Sequence, residues 1–174
     1  MHYCFKMREF YFMRHGQTEL NKMNRYTGNL DYALNKEGIK QCLEAKKIVE
    51  TLNIKTVYSS TLLRAKQSVS LVTDIKPVYL KGLEERDFGN MTGKIKPRYF
   101  KNFFQNGESN YLFRTRAKRA LLKMVLNDSL VVSYSRVYKA ICELLGLGKT
   151  KIQNGEIVKF CEISKNNWQI TKEI

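Results

Sequence analysis

An α/β fold is predicted for this chain, as a three-layer α/β/α sandwich with a mostly parallel central sheet. Three observations predict it. Short apolar runs rich in β-branched and aromatic residues alternate with longer stretches of helical periodicity, the pattern of strands joined by crossover helices. The first run, residues 8–13 around Phe10-Tyr11-Phe12, is apolar at consecutive positions, as a strand buried on both faces must be. The 174 residues, 43% hydrophobic with only two prolines, are enough to bury most of their apolar surface in one core.

Each element has its own signal. A polar loop over residues 24–31 follows the first strand. Asn35 is placed to cap a helix carrying Ile39, Cys42, Leu43, Ile48, Val49 and Leu52 at helical spacing, with Asn53 closing it. Thr56-Val57-Tyr58 reads as a second strand, after which Ser59 or Ser60 caps a helix through Leu62, Leu63, Ala65, Val69 and Val72. Residues 77–80 suggest a short third strand, 89–97 a loop, and 99–104 one helical turn. Residues 108–126 read as helix, 130–133 as strand and 137–145 as helix. Two last strands, 157–163 and 168–171, joined at Ser164-Lys165-Asn166-Asn167, suit an antiparallel hairpin at one sheet edge. Neither an internal repeat nor a low-complexity linker interrupts the pattern, so residues 1–174 are expected to form one domain.

Composition narrows the function classes. No apolar run approaches the roughly 20 residues of a membrane-spanning helix, and residues 1–6 lack the apolar stretch of a secretory signal. Cys4, Cys42, Cys142 and Cys161 are scattered, and the histidines are His2 and His15 alone, which disfavours a zinc site. Free thiols in a reducing cytoplasm are expected. The formal charge of +15 admits nucleic-acid affinity, attraction to a membrane surface or a field that gathers anions. It also admits a lysine-rich bias without function, since the lysines are spread along the whole chain. Basic and aromatic residues interleave locally over residues 94–104.

The most informative stretch is Met13-Arg14-His15-Gly16-Gln17-Thr18-Glu19-Leu20-Asn21. It sets an imidazole between a guanidinium and a glycine where a buried strand ends, and open α/β sheets collect ligands there. Arg14 offers a fixed charged fork that matches phosphate oxygens. Gly16, without a Cβ, lets backbone approach a phosphate. A bare Arg-His-Gly triplet is common, but its extension to Gln17, Thr18 and Asn21 directly after a strand favours a site. The segment resembles the arginine-histidine-glycine signature of the histidine phosphatase superfamily, which is phosphoglycerate-mutase-like in fold. The resemblance implies that His15 becomes transiently phosphorylated. It also implies that Gln17, Thr18 and Asn21, with Thr27 and Gly28 of the following loop, surround the substrate.

Further segments match in order. The stretch from Tyr58 to Ser68 is similar to the family's serine-rich turn and its helix with an Arg-Ala pair, which implies phosphate contact by Arg64. A capped helix start with an arginine one turn in is a sound anion seat. Leu83-Glu84-Glu85-Arg86-Asp87-Phe88-Gly89 with Gly93 resembles L-x-E-x-x-F-G-x-x-x-G, whose glutamate protonates the leaving oxygen. That spacing selects Glu85 over Glu84; by itself the segment also fits a solvated acidic pair. Weaker matches are Gly28 to Gln41, Gly107-Glu108-Ser109 with Arg116, and Asn154-Gly155-Glu156-Ile157. Together the matches cover residues 9–163.

One position departs. The family's second histidine belongs in a segment resembling V-V-S-H-G, and here the residues are Val131-Val132-Ser133-Tyr134-Ser135, followed by Arg136. Tyr134 and Ser135 therefore stand at the substrate, and a tyrosine hydroxyl can donate one neutral hydrogen bond where an imidazole is missing. Losing one preorganised donor costs a factor of about 10² to 10³ in turnover.

The expected protein is thus a histidine acid phosphatase/phosphoglycerate-mutase-like hydrolase acting on a small phosphomonoester, attenuated by Tyr134. Its expected catalytic set is His15, Glu85, Arg14 and Arg64, with no cofactor and no metal. The short span between Gly93 and Gly107 leans toward phosphatase over mutase. The alternative is a pseudophosphatase that binds a phosphorylated ligand or partner without turnover. A nucleic-acid binder would rest on charge alone, without a recognised motif. The expected partner is a small phosphorylated substrate, with neither membrane nor nucleic acid, and a homodimer is left open.

Overall fold

The computed structural model describes residues 8–97, 104–148 and 150–173. Six strands, β1 (Glu9–Arg14), β2 (Thr56–Ser59), β3 (Val78–Tyr79), β4 (Ser129–Ser133), β5 (Ile157–Ser164) and β6 (Asn167–Glu173), form one sheet in the order β3-β2-β4-β1-β5-β6. The pairs β2–β3, β2–β4 and β1–β4 are parallel. The β5–β6 hairpin adds antiparallel to β1, and Asn166, at φ +60°, makes the tight turn. Strands separated by helices are thereby returned in the same direction, while the closing hairpin supplies an antiparallel edge.

Helices α1 (Glu19–Lys22), α2 (Lys36–Val49), α3 (Leu63–Val72), α4 (Asn110–Lys123) and α5 (Ser135–Leu144) complete the chain. Side chains alternate across a strand, and that alternation builds two cores. Phe10, Phe12, Val131, Val158 and Phe160 face α4 and α5, meeting Phe113, Ala117, Ala120, Val137 and Ile141. Tyr11, Met13, Val57, Leu130 and Val132 face α2 and α3, meeting Cys42, Ala45, Val49, Val69 and Val72. The Phe10 and Phe160 rings stack with centroids 4.6 Å apart. The three layers are those expected from the sequence.

Several local expectations needed revision. Asn35 caps α2 as expected, its Oδ1 accepting from Gly38 N at 2.8 Å. Neither Ser59 nor Ser60 caps α3: Leu62 holds the N-cap position without a side-chain bond, because the chain needs three residues to turn from the end of β2. Ser60 Oγ accepts only from Leu62 N, at 3.3 Å, among backbone donors. α4 starts at Asn110 rather than 108, since Ser109 takes the cap and accepts from Leu112 N. The turn α1 was not expected; a capping box between Thr18 and Asn21 nucleates it. The turn expected at 99–104 lies outside the described residues except for Phe104. Among the described residues no helix is long and apolar enough to cross a membrane.

Candidate active site

The parallel strands β1, β2 and β4 end at one edge of the sheet, and their continuations build a cleft of about 650 Å³. That volume suits a small ligand, for which pockets run roughly 300–1,000 Å³. Register is fixed by backbone bonds beyond the strands. His15 N donates to Ser133 O at 3.0 Å, and Ser60 N to Val132 O at 3.3 Å. On the other side Asn154 Nδ2 donates to His15 O at 2.9 Å, and Gly155 N to Arg14 O at 2.9 Å. His15 is therefore held from both flanking strands.

His15 is 3% exposed, and its Nδ1 lies 2.6 Å from Gly16 O. A carbonyl only accepts, so Nδ1 carries the proton and Nε2 keeps its lone pair. Burial, with Arg64 and Arg14 nearby, pushes the imidazole well below its usual pKa. The buried ring is neutral near pH 7 and stays so into mild acid. If neutral His15 is the nucleophile, the acid limb of kcat/KM due to this group should lie well below pH 6.5, the ordinary histidine value. A pH-rate profile whose acid limb sits at that value or above would contradict the assignment.

Arg14, Arg64, Glu85, Asn21, Thr27 and Ser135 line the same cleft as His15. Arg64 is fully buried, and its guanidinium lies 4.5 Å over the Tyr134 ring. Its Nη1 and Nη2 donate to Leu30 O at 2.6 Å and Gly28 O at 2.7 Å. The fork expected to grip a ligand is thus committed to the 28–30 loop, where Gly28 at φ +54° turns its carbonyl inward. Nε remains: Arg14 Nε, Arg64 Nε and Thr27 Oγ1 are buried without a hydrogen-bond partner among the described residues. Two guanidinium groups beside His15 make the cleft attractive to an anion.

Glu85 reaches the cleft from the loop after β3, where its Oε1 accepts from Arg86 N at 2.9 Å. Arg116 of α4 fixes that loop. It forks onto Glu108 (Nε–Oε1 2.6 Å, Nη2–Oε2 2.8 Å) and donates to the carbonyls of Gly82, Glu84 and Glu85. The Glu108–Arg116 pair matched at the sequence level therefore sets the position of Glu85.

Four residues expected at the substrate do not line the cleft. Gln17 accepts from Asn35 Nδ2 through Oε1, and Thr18 caps α1. Gly28 serves Arg64. Tyr134 is fully buried, with its ring centroid 5.0 Å from that of His15. Its hydroxyl donates to Ser60 Oγ at 2.8 Å, which turns it toward β2. Gly16 also acts differently from expectation. A Cβ there would meet Gly38 O at 2.4 Å and Cys42 Sγ at 2.9 Å, so it admits α2 to the loop after His15. The cleft in turn contains residues that motif reading missed, namely Lys96, Lys139, Lys151, Ile152 and Tyr26. Of these, Lys139 was within reach of a helical reading, three residues from Arg136 on one face. Lys151 carries no sequence signal. Among the described residues, no group of three or more His, Cys, Asp or Glu could hold a metal ion.

A mostly parallel sheet bearing this histidine–arginine cleft defines an enzyme of the histidine phosphatase kind. The chain belongs to the histidine phosphatase superfamily (branch 1), whose family model matches residues 10–172. It is 30% identical over 168 residues to the agropine synthesis reductase of Rhizobium rhizogenes, covering 87% of this chain but 39% of that protein. It is 25% identical to the uncharacterized phosphatase PhoE of Bacillus subtilis, covering 91% of this chain and 90% of that one. The crystal structure of phosphoglycerate mutase from Thermus thermophilus superposes with a TM-score of 0.77 at 25% identity, covering 94% of this chain and 97% of that one. Phosphatase and mutase are thus the names borne by relatives in this superfamily, and the chain spans about two-fifths the length of the reductase it matches.

Proposed function

We propose that this chain is a phosphatase that hydrolyses a small phosphomonoester in the cytoplasm through a phosphohistidine at His15. The observation that carries the reading is that Arg14, Arg64 and Glu85 line one cleft with a neutral imidazole, that of His15. His15 Nε2 attacks phosphorus and the P–O ester bond breaks. Glu85 gives its proton to the departing alkoxide. The Glu85 carboxylate then takes a proton from water as that water attacks phosphorus, the P–N bond breaks, and phosphate leaves. Arg14 and Arg64 stabilise the equatorial oxygens, a preorganised donor typically contributing about 3 kcal/mol to transition-state binding. Asn21 and Ser135 add polar groups at the wall, whereas Gln17, Thr18 and Gly28 act from behind it by holding the loops.

Likeness to PhoE along nearly its whole length favours hydrolysis over transfer. Rapid quenching during turnover should trap a phosphoenzyme that is stable to base and labile to acid, the signature of a P–N bond. A base-labile adduct, or none despite phosphate release, would refute the mechanism.

In this reading Tyr134 replaces the family's second histidine and attenuates the enzyme, because its hydroxyl is engaged by Ser60. That same bond favours the pseudophosphatase alternative, and one variant separates the two. Tyr134→His should raise phosphate release by about tenfold or more, since it restores a donor to the phosphoryl group. An unchanged rate would mean that Tyr134 does not limit turnover.

A further inference from the structure

Arg64 is a fully buried cation whose side chain reaches the cleft wall. Two carbonyls hold its Nη atoms, Leu30 O at 2.6 Å and Gly28 O at 2.7 Å. Bonds of this kind lie in the guanidinium plane, and two of them leave the group free to tip about the line between their acceptors. A contact with its face would stop that motion. The Tyr134 ring supplies one, with its centroid 4.5 Å from Arg64 Cζ. An aromatic face attracts a cation through its quadrupole, most strongly where water is excluded.

The ring is itself fixed. Its hydroxyl donates to Ser60 Oγ at 2.8 Å, and Ser60 is bound in turn through N to Val132 O at 3.3 Å and through Oγ to Leu62 N at 3.3 Å. Tyr134 O accepts from Tyr138 N at 2.9 Å in the first turn of α5. The His15 ring closes another side, 5.0 Å away and tilted by 58°. Tyr134, Ser60 and Arg64 are all fully buried, so none can swing toward water without opening the core. A ring held this firmly gives the guanidinium one orientation.

We propose that Tyr134 is a positioning residue, whose aromatic face holds Arg64 in the attitude that meets a phosphate while the bond to Ser60 fixes the ring. This role rests on the phosphatase reading only in that Arg64 is taken as a phosphate ligand. It makes the ring of Tyr134 matter to binding, whatever the missing imidazole does to turnover. The hydroxyl serves the ring and does not touch the ligand.

The test is the affinity of the full chain for inorganic phosphate, read by calorimetry. Tyr134→Phe keeps the ring and should bind within about threefold of the unaltered protein, whereas Tyr134→Leu should bind about tenfold more weakly or worse. Should the leucine variant fail to fold, phenylalanines bearing successively more ring fluorines at position 134 preserve the shape while draining the quadrupole, and phosphate affinity should fall stepwise along that series. With Arg64→Ala already in place, removing the ring should cost little more, because it acts through that side chain. Affinity indifferent to both leucine and fluorine, or a loss as large without Arg64 as with it, would overturn the role. Phosphate that fails to bind the unaltered protein would overturn it together with the phosphatase reading. A fluorine trend in a chain that releases no phosphate from esters would sink the phosphatase reading alone and leave Tyr134 in place.

Discussion

His15→Ala should lower phosphate release from p-nitrophenyl phosphate by about 10³-fold or more, the scale on which removing a group that works as part of a unit is felt. The size follows from the site. A neutral imidazole with Nδ1 bound to Gly16 O presents Nε2 as its one lone pair, and the chain has no second histidine after it. Nothing nearby substitutes, since Cys42 is fully buried behind Gly16. His15→Gln, closer in volume, should lose as much, which distinguishes a lost nucleophile from a collapsed wall. Turnover retained within tenfold in both variants would end the phosphohistidine account.

Glu85→Gln should reduce turnover of an alkyl phosphate by about 10² to 10⁴, the usual contribution of a positioned general acid. Loss in the initial burst of p-nitrophenolate, which reports transfer to His15 alone, should be much smaller, because p-nitrophenolate departs without a proton. Glu85 is suited to that comparison: Arg116 holds the carbonyls of residues 82, 84 and 85, so the amide variant keeps its loop. Equal losses in this first step on both substrates would show that the side chain acts through charge or packing and not as a proton donor.

The sheet was legible wherever burial imposes a pattern. Phe10 to Met13 must satisfy two cores, so the strand reads as continuous apolar sequence, and Asn35 announces α2 because a cap needs a particular side chain. Ser59 and Ser60 misled because serine is equally at home in a turn; Ser60 instead receives the Tyr134 hydroxyl across the sheet. Arg14, His15, Arg64 and Glu85, read from local motifs, line one cleft because the strands that carry their loops end at one edge of the sheet. Their partners were not legible, since hydrogen bonds such as Arg64 to Gly28 O, 36 positions apart, leave no periodic trace. Gly16 shows the same limit. Its need for close approach was evident, but the neighbour it admits is Gly38 and not a phosphate.

The strand that carries His15 lies in the middle of the sheet, and the carbonyls of Arg14 and His15 are held by residues 154 and 155, with His15 and Asn154 139 positions apart. During synthesis the imidazole leaves the ribosome well before its clamp does. A growing chain therefore carries the imidazole without its geometry until β5 zips onto β1. Such wide sequence separation slows folding.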